Sequence, residues 1–395
     1  MKRKGLIFVC LLMAIGITGL LTANGFRKSR SAGVPTDQKL VVPDADVRIK
    51  AANHMLSGPY MFSNLTIYLI HGQDRAGASP PLTLPLTLSE AMEQKKVIVH
   101  ETQAVNELAI ENISDEQVFI QSGDIVKGGQ QDRVLALDMI IAPKSGRIPI
   151  GSFCVEHGRW SRRGDEAVAA FSSSNKMLSS KELKIAAKHN RSQSEVWDQV
   201  AQTQKKLSHG VLAASTPSLP ADPLPASASG SPGNIGAGQA TSFDFSISSM
   251  VSRSSLQLTL ENDRLKDTLK DYIQKLSPII EGKNDVIGFV FAINGVINSA
   301  DVYASTRLFR KLWPKLLESS ATEAISEFDK TKLNKPVETA LVKAFLDEDG
   351  TGKAETSQVG SKMTLIKREA EKKLFFETRD GKNPADWIHR NYISK

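Results

Sequence analysis

In the first half of the chain, apolar residues come in short runs that end at clusters of Gly, Pro, Asn or Asp. Runs at 65–70, 97–100, 107–111, 118–120, 134–141 and 148–155 have this form and predict strands. No long helical segment separates them, so the pattern points to antiparallel layers. Residues 89–94 predict one helical turn. After Ser179 the period changes. Ser192 and Glu195 stand at capping-box spacing, and Val196, Val200 and Leu207 then fall on one helical face. Leu265, Leu269, Ile273 and Leu276 repeat that spacing up to Pro278. Asn294-Gly295 divides two apolar runs, 286–292 and 296–303, and both residues tolerate positive φ, so a β-hairpin is predicted. A helix from about Thr306 carries Leu308, Phe309, Leu312 and Trp313, with Pro314 expected to break or kink it. A further helix is predicted over 336–346, and closing strands over 374–378 and 387–393. The fold class expected is α+β: an antiparallel β-rich N-terminal part, then a helix–β-hairpin–helix C-terminal part.

Composition divides the chain further. Lys2, Arg3 and Lys4 precede an apolar run over 6–21, which is shorter than the roughly 20 residues of a membrane span. Residues 1–25 therefore predict an export signal cleaved after Gly25, with an uncleaved N-terminal anchor as the alternative. Residues 26–50 read as a polar tether, 51–212 as a β-rich part ending in helix, and 242–395 as a mixed α/β part. Between the last two, residues 213–241 are rich in Pro, Ala, Ser and Gly and cannot bury a core. They form either a linker between two lobes or a loop inserted in one unit.

Charge and cysteines bear on partners and compartment. Loss of residues 1–25 removes three basic residues and lowers the formal charge from +7 to +4. No basic run is interleaved with aromatics, so nucleic acid is not an expected partner, and membrane contact is expected only through an uncleaved N-terminal segment. Cys154 is then the one remaining cysteine, which excludes a disulfide framework and leaves stability to the core. The seven histidines show neither HxH nor HExxH spacing. Residues 347–352 begin like a calcium loop, but Gln358 stands where a bidentate Glu belongs. No metal and no cofactor are expected.

Candidate chemistry concentrates in residues 123–164. In the turn Gly128-Gly129-Gln130-Gln131-Asp132-Arg133, backbone amides and Arg133 suit an anion, although the glycines match no phosphate-loop spacing. The structural alternative is a turn with Arg133 paired to Asp124 or Asp132. In Cys154-Val155-Glu156-His157-Gly158-Arg159-Trp160, an indole for stacking stands beside a guanidinium for an anion. His157 reaches Cys154 only if a turn intervenes, so Cys154 reads as a small buried hydrophobe. The candidate ligand-binding set is Gln130, Asp132, Arg133, Glu156, Arg159 and Trp160, and no catalytic residue is assigned.

Four stretches carry a family resemblance: GG-Q-x-D-R at 128–133, C-V-E-x-G-R-W at 154–160, the G-F-V-F-A-I-N-G hairpin running on to Ile325, and the closing ETRD…WIHRNYI. With these residues the chain resembles the ARG-and-rhodanese-phosphatase-superfamily-associated protein domain over about 55–393. That resemblance implies a single unit interrupted by a loop, and a link to nucleotide or ADP-ribose chemistry, but brings no reaction with it. The export signal and the Ala/Pro/Ser-rich insertion depart from the family's usual form. The expected function is an exported, non-catalytic binding protein for an anionic, nucleotide-like ligand. The alternatives are a hydrolase using Glu156 or Asp132 as base, and an envelope structural module without a small ligand.

Overall fold

The strand Val286–Ile293 is buried along its whole length, with Phe289, Phe291 and Ile293 facing one apolar cluster and Val290 and Ala292 facing another. Burial on both faces is why this stretch reads as continuous rather than alternating hydrophobicity. The computed structural model describes residues 38–43, 48–51, 54–74, 84–102, 104–161, 163, 171–215, 245–347, 352–360, 363–381 and 386–395. The predicted export signal, most of the tether, residues 216–241 and the middle of the acidic 347–352 loop lie outside them.

Val286–Ile293 lies inside a nine-stranded antiparallel sheet. The order runs Ile49–Ala51, His54–Phe62, Leu65–His71, Val286–Ile293, Val296–Tyr303, Trp387–Ser394, Lys373–Asp380, Met363–Glu369 and Lys353–Val359. Segments from both sides of residues 213–241 thus share one sheet. The helix before it continues through Ser215, three residues past the predicted start of the loop. A six-stranded sheet takes Phe171–Met177, Asp124–Gly128, Arg133–Leu135, Gly146–Cys154, Glu107–Asn112 and Val97–Glu101 in that order. Three short strands, Met139–Ile141, Val118–Ile120 and Leu86–Thr87, form a third sheet.

Helices Gln193–Ser215, Asp263–Leu276 and Thr306–Ser326 pack into the main cluster, while Thr339–Asp347 covers the second through Val342 and Leu346. The helical faces read from spacing are the buried ones: Val196, Val200 and Leu207, then Leu265, Leu269 and Leu276. Thr306–Ser326 runs on through Pro314, where a break or kink was expected, without a break. A proline inside a helix costs about 3 kcal/mol. Burial of Leu312, Trp313, Leu316 and Leu317 offsets this, since each large apolar side chain contributes roughly 1.5–3 kcal/mol. Trp313 also stands edge-on to Phe289 with ring centroids 5.5 Å apart. The hairpin forms as predicted, with Asn294 at φ 55° and Gly295 at φ 79°. The C-terminal part is richer in strand than expected, because Lys353–Val359 and Met363–Glu369 add a second hairpin at the sheet edge.

The run at 134–141 holds two strands in different sheets, Arg133–Leu135 and Met139–Ile141, with Asp138 in the break. Asp138 in that break is buried.

Candidate functional site

Three of the six candidate residues, Asp132, Glu156 and Arg159, meet in one place. Gly128 and Gly129 take φ of 119° and 55°, which folds the turn so that Asp132 Oδ1 accepts the Gly128 amide at 2.9 Å. Glu156 follows the strand Gly146–Cys154 and bridges to Ser255. Asp132 and Glu156 are both fully buried. Arg159 Nε donates to Glu156 Oε2 at 2.6 Å, and its Nη1 donates to the carbonyls of Gly129 and Ser161. Arg163, which sequence reasoning passed over, binds Asp132 with two nitrogens at 2.7 and 3.1 Å and reaches Glu156 Oε1 at 3.3 Å. Ser255 Oγ donates to Asp132 Oδ2 at 2.9 Å and accepts the Leu258 amide, capping the short helix Leu256–Leu260. Two carboxylates balance two guanidiniums, and the group ties a turn, a loop and a helix cap together. Buried charges persist only when so paired and bonded.

The remaining candidates stand apart. Consecutive residues on extended backbone face opposite ways, so Arg133 points away from Asp132. It is buried, donates to the Val105 carbonyl at 2.7 Å and to Cys154 Sγ, and pairs with Glu101 at 3.6 Å. Its partner is therefore Glu101 rather than the Asp124 or Asp132 that sequence neighbourhood suggested. Gln130 is exposed, its amide bonded to Glu101 Oε1. Trp160 is 50 % exposed. His157 packs edge-on against Trp197 at 4.7 Å. Burial pushes the Cys154 thiol up to about 11, against the opposing pull of Arg133. A thiol held neutral at pH 7 is a poor nucleophile.

A second polar cluster was not visible in the sequence. His389 lies buried between two carboxylates, Nδ1 at 2.9 Å from Asp138 Oδ2 and Nε2 at 3.0 Å from Asp301 Oδ1. Carboxylates accept only, so both ring nitrogens donate and the ring is an imidazolium. Burial alone would lower the pKa of His389, but the charges and bonds of Asp138 and Asp301 raise it. Burial would likewise raise that of Asp138, yet Lys188, His389 and the Ser122 amide hold the carboxyl well below the usual range. Thr378 Oγ1 donates to Asp138 Oδ2 at 2.8 Å, and Asn391 Nδ2 to Asp301 Oδ1 at 2.9 Å. Tyr303 stacks on the imidazole with centroids 4.5 Å apart.

Beside this chain is a small internal cavity. Space for the centres of water-sized groups amounts to about 20 Å³, enough for roughly one. Asp301, His389, Lys184 and Lys188 are among its lining residues. The two lysines straddle the start of a π-helical turn, Ile185–Asn190, a geometry found often at functional sites. Lys188 is buried, with Nζ 3.4 Å from Asn391 Oδ1, 4.0 Å from Asp138 Oδ2 and 4.6 Å above the Phe376 ring. Lys184 has no hydrogen-bond partner among the described residues and lies 5.6 Å from the Phe291 ring. Lys184, Lys188 and the His389 imidazolium thus stand near Asp138 and Asp301, while the half-buried Lys184 also acts on the buried Glu323 carboxyl. Among the described residues, no group of three or more His, Cys, Asp and Glu is arranged to hold a metal ion, and no helix is long and apolar enough to cross a membrane.

A signal for this cluster did exist in the sequence. Asp138 interrupts an apolar run and His389 sits inside another, and a charged residue in a buried strand demands a partner. The identity of that partner could not be read, because the groups come from four distant segments.

Comparison with known proteins places the chain. Neither the curated proteins nor the solved structures contain a match. The family model described as ARG and Rhodanese-Phosphatase-superfamily-associated Protein domain matches residues 53–393, which takes in both polar clusters and all three sheets apart from the strand Ile49–Ala51. The chain belongs to that family.

Proposed function

We propose that this protein is an exported, non-catalytic binding domain for a small anionic ligand, and that the anion sits against Lys184 and Lys188. The observation that carries this reading is the small cavity lined by Lys184, Lys188 and His389, where the half-buried Lys184 ammonium has no hydrogen-bond partner among the described residues. Cations gathered around a small space favour an anion within it. The space suits a halide, or the anionic end of a larger molecule. A nucleotide-like or ADP-ribose-like ligand, which the family's name brings to mind, would have to present such a group. Export is supported by the basic, apolar and small-residue order of residues 1–25.

Two arguments favour binding over hydrolysis. The Asp132 and Glu156 carboxylates are buried and bonded to Arg159 and Arg163, so taking a proton from water would break that lattice. Both nitrogens of His389 are engaged in the same way. For Asp132, Arg133, Glu156 and Arg159, a structural role is the better reading. The Arg133 and Arg159 guanidiniums already bind carbonyls and carboxylates, and a ligand there would have to displace them.

The test is a thermal-shift series on residues 26–395 with chloride, bromide, nitrate, formate, acetate, ADP-ribose and NAD at constant ionic strength. Lys184→Met, Arg133→Ala and Arg159→Ala run beside the parent. An anion at about 100 times its dissociation constant adds roughly 2.7 kcal/mol. That stabilisation should vanish in Lys184→Met and persist in the arginine variants that fold. Equal shifts in the parent and in Lys184→Met would refute the site.

A further inference from the structure

A separate cleft of about 260 Å³ opens beside the Asn294-Gly295 turn, between Lys181 and the C-terminal half of helix Thr306–Ser326. Two of its lining groups, Glu323 and Asn298, are only 3 % and 7 % exposed. Glu323 Oε1 is satisfied, accepting from Asn298 Nδ2 at 2.6 Å and from the Lys181 amide at 2.8 Å. Glu323 Oε2 and Asn298 Oδ1 have no hydrogen-bond partner among the described residues. Two buried acceptors in one cleft that both lack a donor are unusual in a folded protein, and the complement they call for is a group with several N–H bonds.

The rim has the opposite character. Lys206 is matched by Glu327 at 2.6 Å and Lys332 by Asp329 at 3.3 Å. The Lys181 ammonium has Ser394 Oγ at 3.4 Å as its hydrogen-bond partner and shares the charge of Glu182, also on the rim, with Lys206. Lysines with partners of their own therefore stand beside a floor of unpartnered acceptors. Ile293, Val296 and Ile297 supply an apolar wall along the strands.

We propose that this cleft binds a small zwitterion of the aliphatic amino-acid type, its ammonium donating to Glu323 Oε2 and Asn298 Oδ1 and its carboxylate meeting Lys181. The cleft and the anion cavity are separate spaces, although Lys184 of the cavity acts on Glu323 of the cleft. The proposal also predicts proton movement. Burial holds the empty-cleft Glu323 carboxyl toward its neutral form, against the opposing charge of Lys184 and the bond from Asn298. Arrival of an ammonium favours the carboxylate, so whatever fraction of Glu323 is neutral in the empty cleft releases its proton on binding, and that release grows as pH falls toward the ordinary carboxyl range.

Isothermal titration of residues 26–395 with glycine, L-valine and L-leucine tests this, with isobutylamine and isovalerate as the two half-ligands. Titrations in buffers of different ionisation enthalpy count the protons released. An aliphatic amino acid should bind at least about ten-fold more tightly than either half-ligand. Glu323→Gln keeps the acceptor for Asn298 and for the Lys181 amide, so it should fold, yet it should lose both proton release and about ten-fold in affinity. Lys181→Met, a change at the rim, should weaken the amino acid and leave isobutylamine unaffected. The proposal is overturned if no amino acid binds, if isovalerate binds as well as leucine, or if folded Glu323→Gln matches the parent in affinity and proton release.

Discussion

Replacing His389 with glutamine removes the cation between two buried carboxylates, and the structure sets the size of the effect. Two charge-assisted bonds are lost, at 2.9 and 3.0 Å. Asp138 keeps the Ser122 amide, the Thr378 hydroxyl and Lys188 at 4.0 Å, while Asp301 keeps only Asn391. Asp301 is thus the carboxylate left exposed to the full cost. Breaking a buried ion pair by removing one partner costs about 3–5 kcal/mol, a large share of the roughly 5–15 kcal/mol available to a typical domain. Urea unfolding of residues 26–395 at pH 6.5 should show a loss of that size in His389→Gln. Adding Asp301→Asn should recover part of it, because the second change removes the stranded charge. The pH dependence has a definite sign. The pKa of His389 is raised on folding, so its contribution is complete below the unfolded value near 6.5 and falls away as pH rises through the folded value. That of Asp138 is lowered, so its contribution holds above the unfolded value near 3.9 and is lost as pH falls toward the folded one. The gap between parent and His389→Gln should therefore narrow in alkaline buffer. A loss under about 1 kcal/mol, or a gap that widens with pH, would refute the imidazolium assignment.

Other substitutions test the packing and the charge lattice. At Gly210 a Cβ would lie 1.7 Å from the Ile325 carbonyl oxygen on the neighbouring helix. Gly210→Ala should therefore cost about 1–3 kcal/mol or more in denaturant unfolding, although alanine alone would favour the helix by up to about 1 kcal/mol. Arg163→Ala strands Asp132 and Glu156 and should lower stability by about 3–5 kcal/mol, read in the same assay. The Cys154 thiol, buried and pushed up to about 11, should resist a thiol reagent at pH 8 until denaturant is added.

Local chemistry is what the sequence made legible. Asn294-Gly295 could be read as a turn because both residues accept positive φ. Ser192 and Glu195 marked a helix start where the Glu195 amide does bond to Ser192 Oγ. Whatever depends on distant segments stayed hidden. Asp138, Lys188, Asp301 and His389 become neighbours only when strands from both parts of the chain join one fold, and no periodicity encodes that meeting. Arg163 lay within the candidate stretch but was not among its candidates, and its partners Asp132 and Ser255 are far off in sequence. Arg133 and Asp132 looked like one site because they are adjacent, but alternation along an extended backbone separates them. Pro314 misled for another reason, as the apolar contacts that carry the helix past it are tertiary.

The central claim, an anion held against Lys184 and Lys188, is most directly tested by anomalous diffraction from crystals of residues 26–395 soaked in bromide. The account predicts a bromide peak in the internal cavity between the two ammonium groups, absent in crystals of Lys184→Met. Bromide found only on the outer surface, with the cavity holding water alone, would contradict it.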